Sequence, residues 1–157
     1  MKNKNRLCAL LSILLLAQIS LQGQIRVACV GDSITYGSRL ENRETDSYPS
    51  QLAAMLGDGW EVRNFGSSGA TVLKNGDKPY WELDLFEQAS NYQPDVVVIK
   101  LGTNDSKVDN WQAHGEEYSS DYKDMIRHFR SLESSPLVWV CIPVPVFEDR
   151  WGITAAT

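Results

Sequence analysis

Four apolar runs recur along the chain, and a loop containing glycine, serine or proline follows each of them. They cover residues 25–30, 60–64, 94–101 and 136–143. Runs that are apolar on both faces are typical of parallel strands buried beneath helices. The third run is rich in β-branched residues, which favour strands, so we predict that it lies at the centre of a sheet.

Helical spacing of apolar residues is found between the runs. A proline near a first turn opens one predicted helix, whose apolar face carries Leu52, Met55 and Leu56. Two more helices are predicted over residues 81–91 and 116–131. Strands therefore alternate with helices, which predicts a three-layer α/β/α fold with a parallel sheet and right-handed crossovers.

The predicted sheet is flavodoxin-like but has only four strands. Such a sheet has a fifth strand with flanking helices, whereas this sequence ends at Thr157, just after the loop beyond the fourth run. The open edge left without a fifth strand would expose apolar surface. We therefore expect a C-terminally truncated domain that occupies residues 24–157.

The first residues are typical of a signal peptide rather than of a folded domain. Three positive charges within residues 2–6 precede an apolar segment at 7–17 that is too short to span a bilayer. A short polar segment follows, so we expect a signal peptide over residues 1–23, with cleavage near Gln22 or Gly23. An uncleaved membrane anchor is the alternative. Cleavage would give an exported protein, periplasmic or extracellular, without stable membrane association.

Charge and cysteine content narrow the classes of partner. The net charge is −5, and removal of the signal peptide would take away three positive charges and no acidic group, leaving −8. An acidic domain without a basic cluster is unsuited to nucleic acid or to an anionic membrane. Cys29 and Cys141 lie in separate, non-adjacent strands, so we expect buried free thiols, although an exported protein would also allow a disulfide.

The stretch from Val30 to Gly37 follows the first strand and places a serine between two glycines. Gly31 allows a sharp turn, so Ser33 would lie at the carboxyl edge of the sheet, where open α/β folds bind ligands. Serine in this position is a candidate nucleophile, and the alternative is a turn residue or a helix cap. The stretch is not the G-x-S-x-G nucleophile elbow, because position 35 is threonine.

Two further loops leave strands at the same edge of the predicted sheet. They carry Gly69 and Asn104, so three consecutive strand ends present a serine, a glycine amide and a side-chain amide. Acyl transfer needs hydrogen-bond donors for the oxyanion that forms when a serine attacks a carbonyl carbon. The N–H groups of Gly69 and Ser33 and the side-chain amide of Asn104 are three such donors. Their order along the chain predicts an esterase-type site.

Three blocks of the sequence resemble the SGNH, or GDSL, hydrolase superfamily: GDSI at 31–34, NFGSSGAT at 64–71 and GTND at 102–105. The resemblance implies that Ser33 is the nucleophile and that Gly69 and Asn104 complete the oxyanion hole. The wider sequence is similar to bacterial carbohydrate esterases, the sialate O-acetylesterases and acetylxylan esterases. That similarity implies a serine esterase that acts on acetylated carbohydrate without a cofactor or metal.

Three more residues are expected to contribute to substrate binding. They are Asp32, Trp81 and Trp111, which lie in or beside the predicted loops. The two tryptophans could stack on sugar rings, and the alternative for both is ordinary packing in the core.

One block of the superfamily has no counterpart in the sequence. The D-x-x-H block would supply the general base and its orienting aspartate, but the two histidines, His114 and His128, lie outside such a block. We expect both to be ordinary surface residues, and a serine without a base loses most of its nucleophilicity. These 157 residues alone are therefore expected to have little activity. A non-catalytic carbohydrate-binding relic and a flavodoxin-like binding module stay open as alternatives.

Overall fold

The computed structural model describes residues 23–150 and 152–153, which form an α/β fold around a four-stranded parallel sheet. The signal peptide predicted over residues 1–23 lies, apart from Gly23, outside the described residues. None of the described helices combines the length and the apolarity that crossing a bilayer would require. The strands are β1 (Ile25–Gly31), β2 (Trp60–Gly66), β3 (Val96–Lys100) and β4 (Leu137–Val140).

The strands lie in the order β2-β1-β3-β4, and every neighbouring pair is parallel. Val27 of β1 is in register with Val62 of β2 and with Val96 of β3. The third strand is thus hydrogen-bonded on both sides, which confirms its predicted central position. Because all four strands run the same way, the loops that follow β1, β2 and β3 leave from one edge of the sheet.

Six helices are described: α1 (Ser33–Tyr36), α2 (Arg43–Asp46), α3 (Tyr48–Leu56), α4 (Asp84–Asn91), α5 (Val108–His114) and α6 (Tyr118–Arg130). Short 3-10 turns at Tyr80–Glu82 and Gly115–Glu117 precede α4 and α6. The helices predicted from periodicity correspond to α3, α4 and α6. The other three were not predicted, because segments of four to seven residues are too short to show a helical period.

Helices cover both faces of the sheet, as predicted. On one face, α4 and α6 pack on a fully buried cluster formed by Ala28, Val30, Val97 and Ile99. On the opposite face, Tyr48 of α3 lies beside the buried Cys29, where burial raises the pKa of the thiol to about 11. The sheet is therefore the middle of three layers.

The apolar face predicted for α3 is wrong at one position. Met55 is 76% exposed, whereas Pro49 is buried and Leu52 and Leu56 are half-buried. At roughly 100° per residue, the three buried or half-buried positions form one stripe and Met55 lies at its margin. Tyr48, Ser50 and Ala53 are half-buried as well, so Met55 is the one large apolar side chain of this nine-residue helix that is exposed.

The outer strand leaves apolar surface uncovered within the described residues. Nothing described pairs with the free edge of β4, and Leu137 and Trp139 are 68% and 65% exposed. Cys29 and Cys141 are both free thiols, as expected, because β3 lies between the two segments that carry them. Cys29 is buried as expected, whereas Cys141 is only half-buried.

Candidate active site

The loops after β1, β2 and β3, together with the segment that follows β4, line one cavity of about 900 Å³. Ser33, Gly69 and Asn104 all line this cavity. Three residues from three separate sequence blocks therefore come together at the carboxyl edge of the sheet, where open α/β folds place their ligands. The volume is that of an ordinary small-molecule site.

Ser33 is the first residue of α1 and follows the buried Asp32. The Asp32 carboxylate caps the helix by accepting the Ile34 N–H at 2.9 Å. The N–H of a first helical residue has no partner within its own helix, so that of Ser33 can donate to a ligand. Asp32 is fully buried, and burial raises the pKa of its carboxyl. Asp32 is therefore a helix cap beneath the serine and not the expected substrate-binding residue.

Hydrogen bonds hold α1 against the loop that follows β2. Asn64 Nδ2 donates to the Thr35 carbonyl at 2.8 Å, while Asn64 Oδ1 accepts the Gly66 N–H at 2.9 Å. The Ser67 N–H donates to the Gly31 carbonyl at 2.9 Å. A Cβ on Gly31 would lie only 2.0 Å from Thr35 Oγ1, so glycine here allows the close approach of α1.

The loop that carries Gly69 is held from two sides. Gly69 has a φ of 86°, a conformation that glycine adopts readily and other residues oppose. Lys78 Nζ donates to the Ser68 carbonyl at 2.8 Å and to Ser67 Oγ at 3.0 Å. The hydroxyls of Ser38 and Ser68 lie 2.6 Å apart. The backbone that leads into the predicted oxyanion donor is therefore fixed.

Asn104 is held so that one side-chain N–H remains available. It is 6% exposed, and its Nδ2 donates to the Ala70 carbonyl at 3.1 Å. An amide nitrogen has two N–H groups, so the second can donate to a ligand in the cavity. The backbone carbonyl of Asn104 accepts Asn110 Nδ2 at 2.9 Å and the Lys107 N–H at 3.2 Å.

Asn110 also joins this loop to the segment that follows β2. Its Oδ1 accepts the Asp77 N–H at 2.9 Å, and its Nδ2 donates to Asp77 Oδ1 at 2.8 Å. Lys107 Nζ pairs with the other Asp77 oxygen at 2.6 Å. Partial burial alone would raise the pKa of Asp77, but the hydrogen bonds from Asn110 and Lys107 outweigh it and hold the pKa below its usual value.

Asp105, the residue after Asn104, joins the loop that follows β3 to the segment that follows β2. Its Oδ1 accepts the N–H groups of Val72 at 2.9 Å and Leu73 at 2.8 Å, and its Oδ2 has no hydrogen-bond partner among the described residues. Burial raises the pKa of Asp105 to about 6, an effect that the two N–H groups oppose and the nearby Asp32 reinforces.

Neither histidine lines the cavity with Ser33. His114 is the last residue of α5, and its Nδ1 lies 3.1 Å from Glu117 Oε1. His128 is on α6, where its Nε2 is 2.8 Å from Ser90 Oγ and its ring packs on Phe86 with centroids 4.4 Å apart. Both histidines are half-buried rather than the expected surface residues, and burial lowers the pKa of His128.

The structure places the candidate aromatic residues differently from one another. Trp81 packs on Phe86, and its indole N–H donates to the Val72 carbonyl at 2.7 Å, away from the cavity. Trp111 is 50% exposed and lines a neighbouring cavity of about 570 Å³. Thr103 belongs to the lining of both cavities, so Trp111 lies beside the serine site and Trp81 does not.

Sequence reasoning missed Asn64, Lys78 and Asn110, which hold the loops of the site. Asn64 could have been noticed as a polar residue near the end of a strand, two residues before a glycine. The other two carry no such signal, because Lys78 contacts a residue ten positions away and Asn110 contacts residues six and 33 positions away. In the described ranges, no three His, Cys, Asp or Glu side chains form a cluster able to hold a metal ion.

Solved structures share the fold of this chain. One superposes with a TM-score of 0.61 at 23% sequence identity and covers 78% of this chain and 64% of its own. Another is the structure of a lipolytic protein of the G-D-S-L family from Desulfitobacterium hafniense DCB-2. It superposes with a TM-score of 0.59 at 22% sequence identity and covers 83% of this chain and 66% of its own. At these identities the likeness establishes the fold alone.

Sequence comparison adds a closer relationship. An acetylxylan esterase of Xylanibacter ruminicola is 42% identical over 146 residues, which covers 82% of this chain and 30% of that protein. The chain thus spans about a third of the length of this relative. Residues 29–157 match the GDSL-like Lipase/Acylhydrolase family, and the matched region contains all three loops of the cavity. The chain belongs to the GDSL-like Lipase/Acylhydrolase family.

Proposed function

We propose that this protein is a serine esterase that removes O-acetyl groups from carbohydrates. The observation that carries the proposal is the convergence of Ser33, Gly69 and Asn104 on one cavity at the ends of three parallel strands. Membership of an acylhydrolase family supports the hydrolysis of carboxylic esters. The similarity to an acetylxylan esterase supports acetyl as the acyl group and xylan as the carbohydrate.

The reaction proceeds through an acyl-enzyme. The Ser33 oxygen attacks the acetyl carbonyl carbon, its proton passes to a base, and the carbonyl oxygen becomes an anion. The N–H groups of Ser33 and Gly69 and the second N–H of Asn104 Nδ2 stabilise that anion. Collapse breaks the ester bond, and the sugar hydroxyl leaves with the proton. Water then attacks the acetyl-serine and releases acetate.

The mechanism requires a general base that takes the proton of Ser33. Neither His114 nor His128 lines the cavity, and the 157 residues contain no D-x-x-H block. In this proposal the base is the histidine of such a block, as the superfamily resemblance implies. The activity is therefore assayed on protein expressed from the full reading frame that encodes these residues.

Substrate and location are proposed together. Acetylated xylan is a polymer that a cell meets outside its membrane, which agrees with an exported protein whose first 23 residues are a signal peptide. The half-exposed Trp111, beside the cavity of Ser33, offers a surface on which a sugar ring could stack. O-acetylated sialic acid is the competing substrate, and acetylated xylo-oligosaccharide is the one the sequence similarity favours.

The test is acetate release from acetylated xylo-oligosaccharides by the parent protein and two serine variants. Ser33→Ala should lower the rate by about a thousandfold or more, because it removes the nucleophile. Ser131→Ala changes an exposed serine at the end of α6 and should leave the rate unchanged. Equal rates for the parent and Ser33→Ala would contradict the proposal.

A non-catalytic carbohydrate-binding protein is the second candidate. It is favoured by the lack of a histidine among the described residues that line the Ser33 cavity. Isothermal titration of the complete protein with the same oligosaccharide distinguishes the two functions. Binding without acetate release would support this candidate and contradict the esterase.

A further inference from the structure

The peptide group between Ser68 and Gly69 has a cation on its carbonyl side. Lys78 Nζ lies 2.8 Å from the Ser68 oxygen. In a trans peptide the C=O and N–H bonds point in opposite directions, and no peptide bond described here is cis. The Gly69 N–H therefore points away from Lys78, and Gly69 lines the cavity of Ser33.

Lys78 is held in place by its own backbone. The Thr71 N–H donates to the Lys78 carbonyl at 2.9 Å, and the Tyr80 N–H donates to the Thr71 carbonyl at 2.9 Å. The lysine stem passes over Gly69, since a Cβ built on that glycine would lie 3.6 Å from Lys78 Cδ. The backbone around Lys78 is thus hydrogen-bonded to Thr71, and it places the ammonium group beside the Ser68 carbonyl.

The positive charge of Lys78 is directed at that peptide. Its polar contacts in the described part of the chain are the Ser68 carbonyl and Ser67 Oγ, and it forms no ion pair there with a carboxylate. The adjacent Asp77 pairs with Lys107 instead. A hydrogen bond from an ionised donor is roughly twice as strong as a neutral one, so the carbonyl of Ser68 is strongly polarised.

We propose that Lys78 is a positioning residue that polarises the Ser68–Gly69 peptide and makes the Gly69 N–H a stronger oxyanion donor. Hydrogen bonds along one peptide reinforce each other, because electron density drawn to the carbonyl leaves the N–H more positive. The inference rests on the proposed function, in which the Gly69 N–H donates to the oxyanion. It goes beyond that function by assigning a role to a lysine that does not line the cavity.

The loop has other anchors, so loss of Lys78 should not unfold it. The Ser67 N–H donates to the Gly31 carbonyl at 2.9 Å, and the Ala70 N–H donates to the Ser67 carbonyl at 3.1 Å. Ser38 and Asn104 contact the same loop through Ser68 and Ala70. A substitution at Lys78 therefore removes charge from the peptide while most of its positioning contacts remain.

The experiment compares Lys78→Met, Lys78→Arg and a control in the complete protein. The control is Lys123→Met, which removes one exposed positive charge from α6. Two quantities are measured: the amide ¹⁵N and ¹H chemical shifts of Gly69, and kcat and KM for an acetyl ester. Lys78→Met should move the Gly69 amide resonance and lower kcat roughly tenfold, with KM changed by less than about twofold. Lys78→Arg should restore most of the parent's Gly69 amide resonance position and kcat. Lys123→Met should change neither the resonance nor kcat.

Each readout can overturn the proposal. An unchanged Gly69 resonance in Lys78→Met would show that the lysine does not polarise this peptide. A moved resonance with unchanged kcat would show that the peptide does not act in the transition state. If the parent protein releases no acetate, the proposed function fails, and the Gly69 resonance alone then decides whether Lys78 polarises the peptide.

Discussion

Gly69 holds a backbone conformation that any side chain would oppose. Its φ is 86°, and a Cβ at this position would make only an ordinary contact with Lys78, at 3.6 Å. Space is therefore available, and the conformation itself is what requires glycine. The same conformation sets the direction of the N–H proposed to bind the oxyanion.

Gly69→Ala should lower the free energy of unfolding by roughly 1–3 kcal/mol and kcat by about a hundredfold. Gly57→Ala is the matched control, because Gly57 has a φ of 77°, lies at the end of α3 and has no atom within 4 Å of an added Cβ. The control should lose comparable stability without loss of kcat. Urea titrations measure the free energy of unfolding, and acetyl ester kinetics measure kcat. An equal loss of kcat in the two variants would contradict a role for the Gly69 N–H in the reaction.

Trp111→Ala should raise KM for an acetylated xylo-oligosaccharide roughly threefold to tenfold with little change in kcat, because it removes a stacking surface beside the cavity. Trp139→Ala provides the comparison. Trp139 is 65% exposed on β4 and lines neither cavity that contains Thr103. An unchanged KM in Trp111→Ala would remove this tryptophan from the substrate site.

At the scale of elements, α5 and the segment after β2 form one unit through Asn110. This side chain is 5% exposed, and its hydrogen bonds reach Asp77 and the carbonyl of Asn104. A buried polar group that loses its partner costs more than the bond itself contributed. The network therefore fixes the loop that carries Asn104, one of the proposed oxyanion donors.

Asn110→Ala should lower the free energy of unfolding by about 2–3 kcal/mol, since the Asp77 N–H and the Asn104 carbonyl each lose a partner. Asn91→Ala is the control, because Asn91 is exposed and its side-chain contact to Glu87 is long, at 3.5 Å. Asn91→Ala should lower the free energy of unfolding by less than about 0.5 kcal/mol. Chemical denaturation followed by fluorescence checks both values, and similar losses would argue against the network.

Sequence patterns could predict the elements that bury a long apolar run or face. The run that forms β3 and the spacing in α6 are of this kind, and three glycine-containing loops then located the site at one edge of the sheet. The short helices α1 and α5 have too few residues to show a period. Contacts such as Lys78 to Ser68 depend on how loops meet in space, which no local pattern records.

At the scale of the whole molecule, two buried carboxyl groups oppose the fold at neutral pH. Asp32 and Asp105 are both fully buried, and burial raises the pKa of each. A carboxyl whose pKa is higher in the folded state binds more protons there, so folding is weakened as the pH rises. Ionisation of Asp32 and Asp105 therefore lowers the free energy of unfolding, and the rest of the structure must compensate for that loss.

Asp105→Asn should remove part of this pH dependence. The pKa of Asp105 is about 6 in the folded protein against an ordinary value of 3.8. The parent should therefore lose about 2 kcal/mol relative to Asp105→Asn as the pH rises from 4 to 7. Denaturation of both proteins at several pH values gives the difference. A difference that is constant with pH would show that Asp105 is charged throughout.

The central claim is that Ser33 forms the acyl-enzyme in the cavity that it lines with Gly69 and Asn104. Rapid mixing of the complete protein with an activated acetyl ester, followed by acid quench and peptide mass spectrometry, tests it directly. The account predicts an acetyl group on the peptide that contains Ser33, lost on further reaction with water and absent in Ser33→Ala. Acetate release with acetylation at another residue, or with none on Ser33, would contradict it.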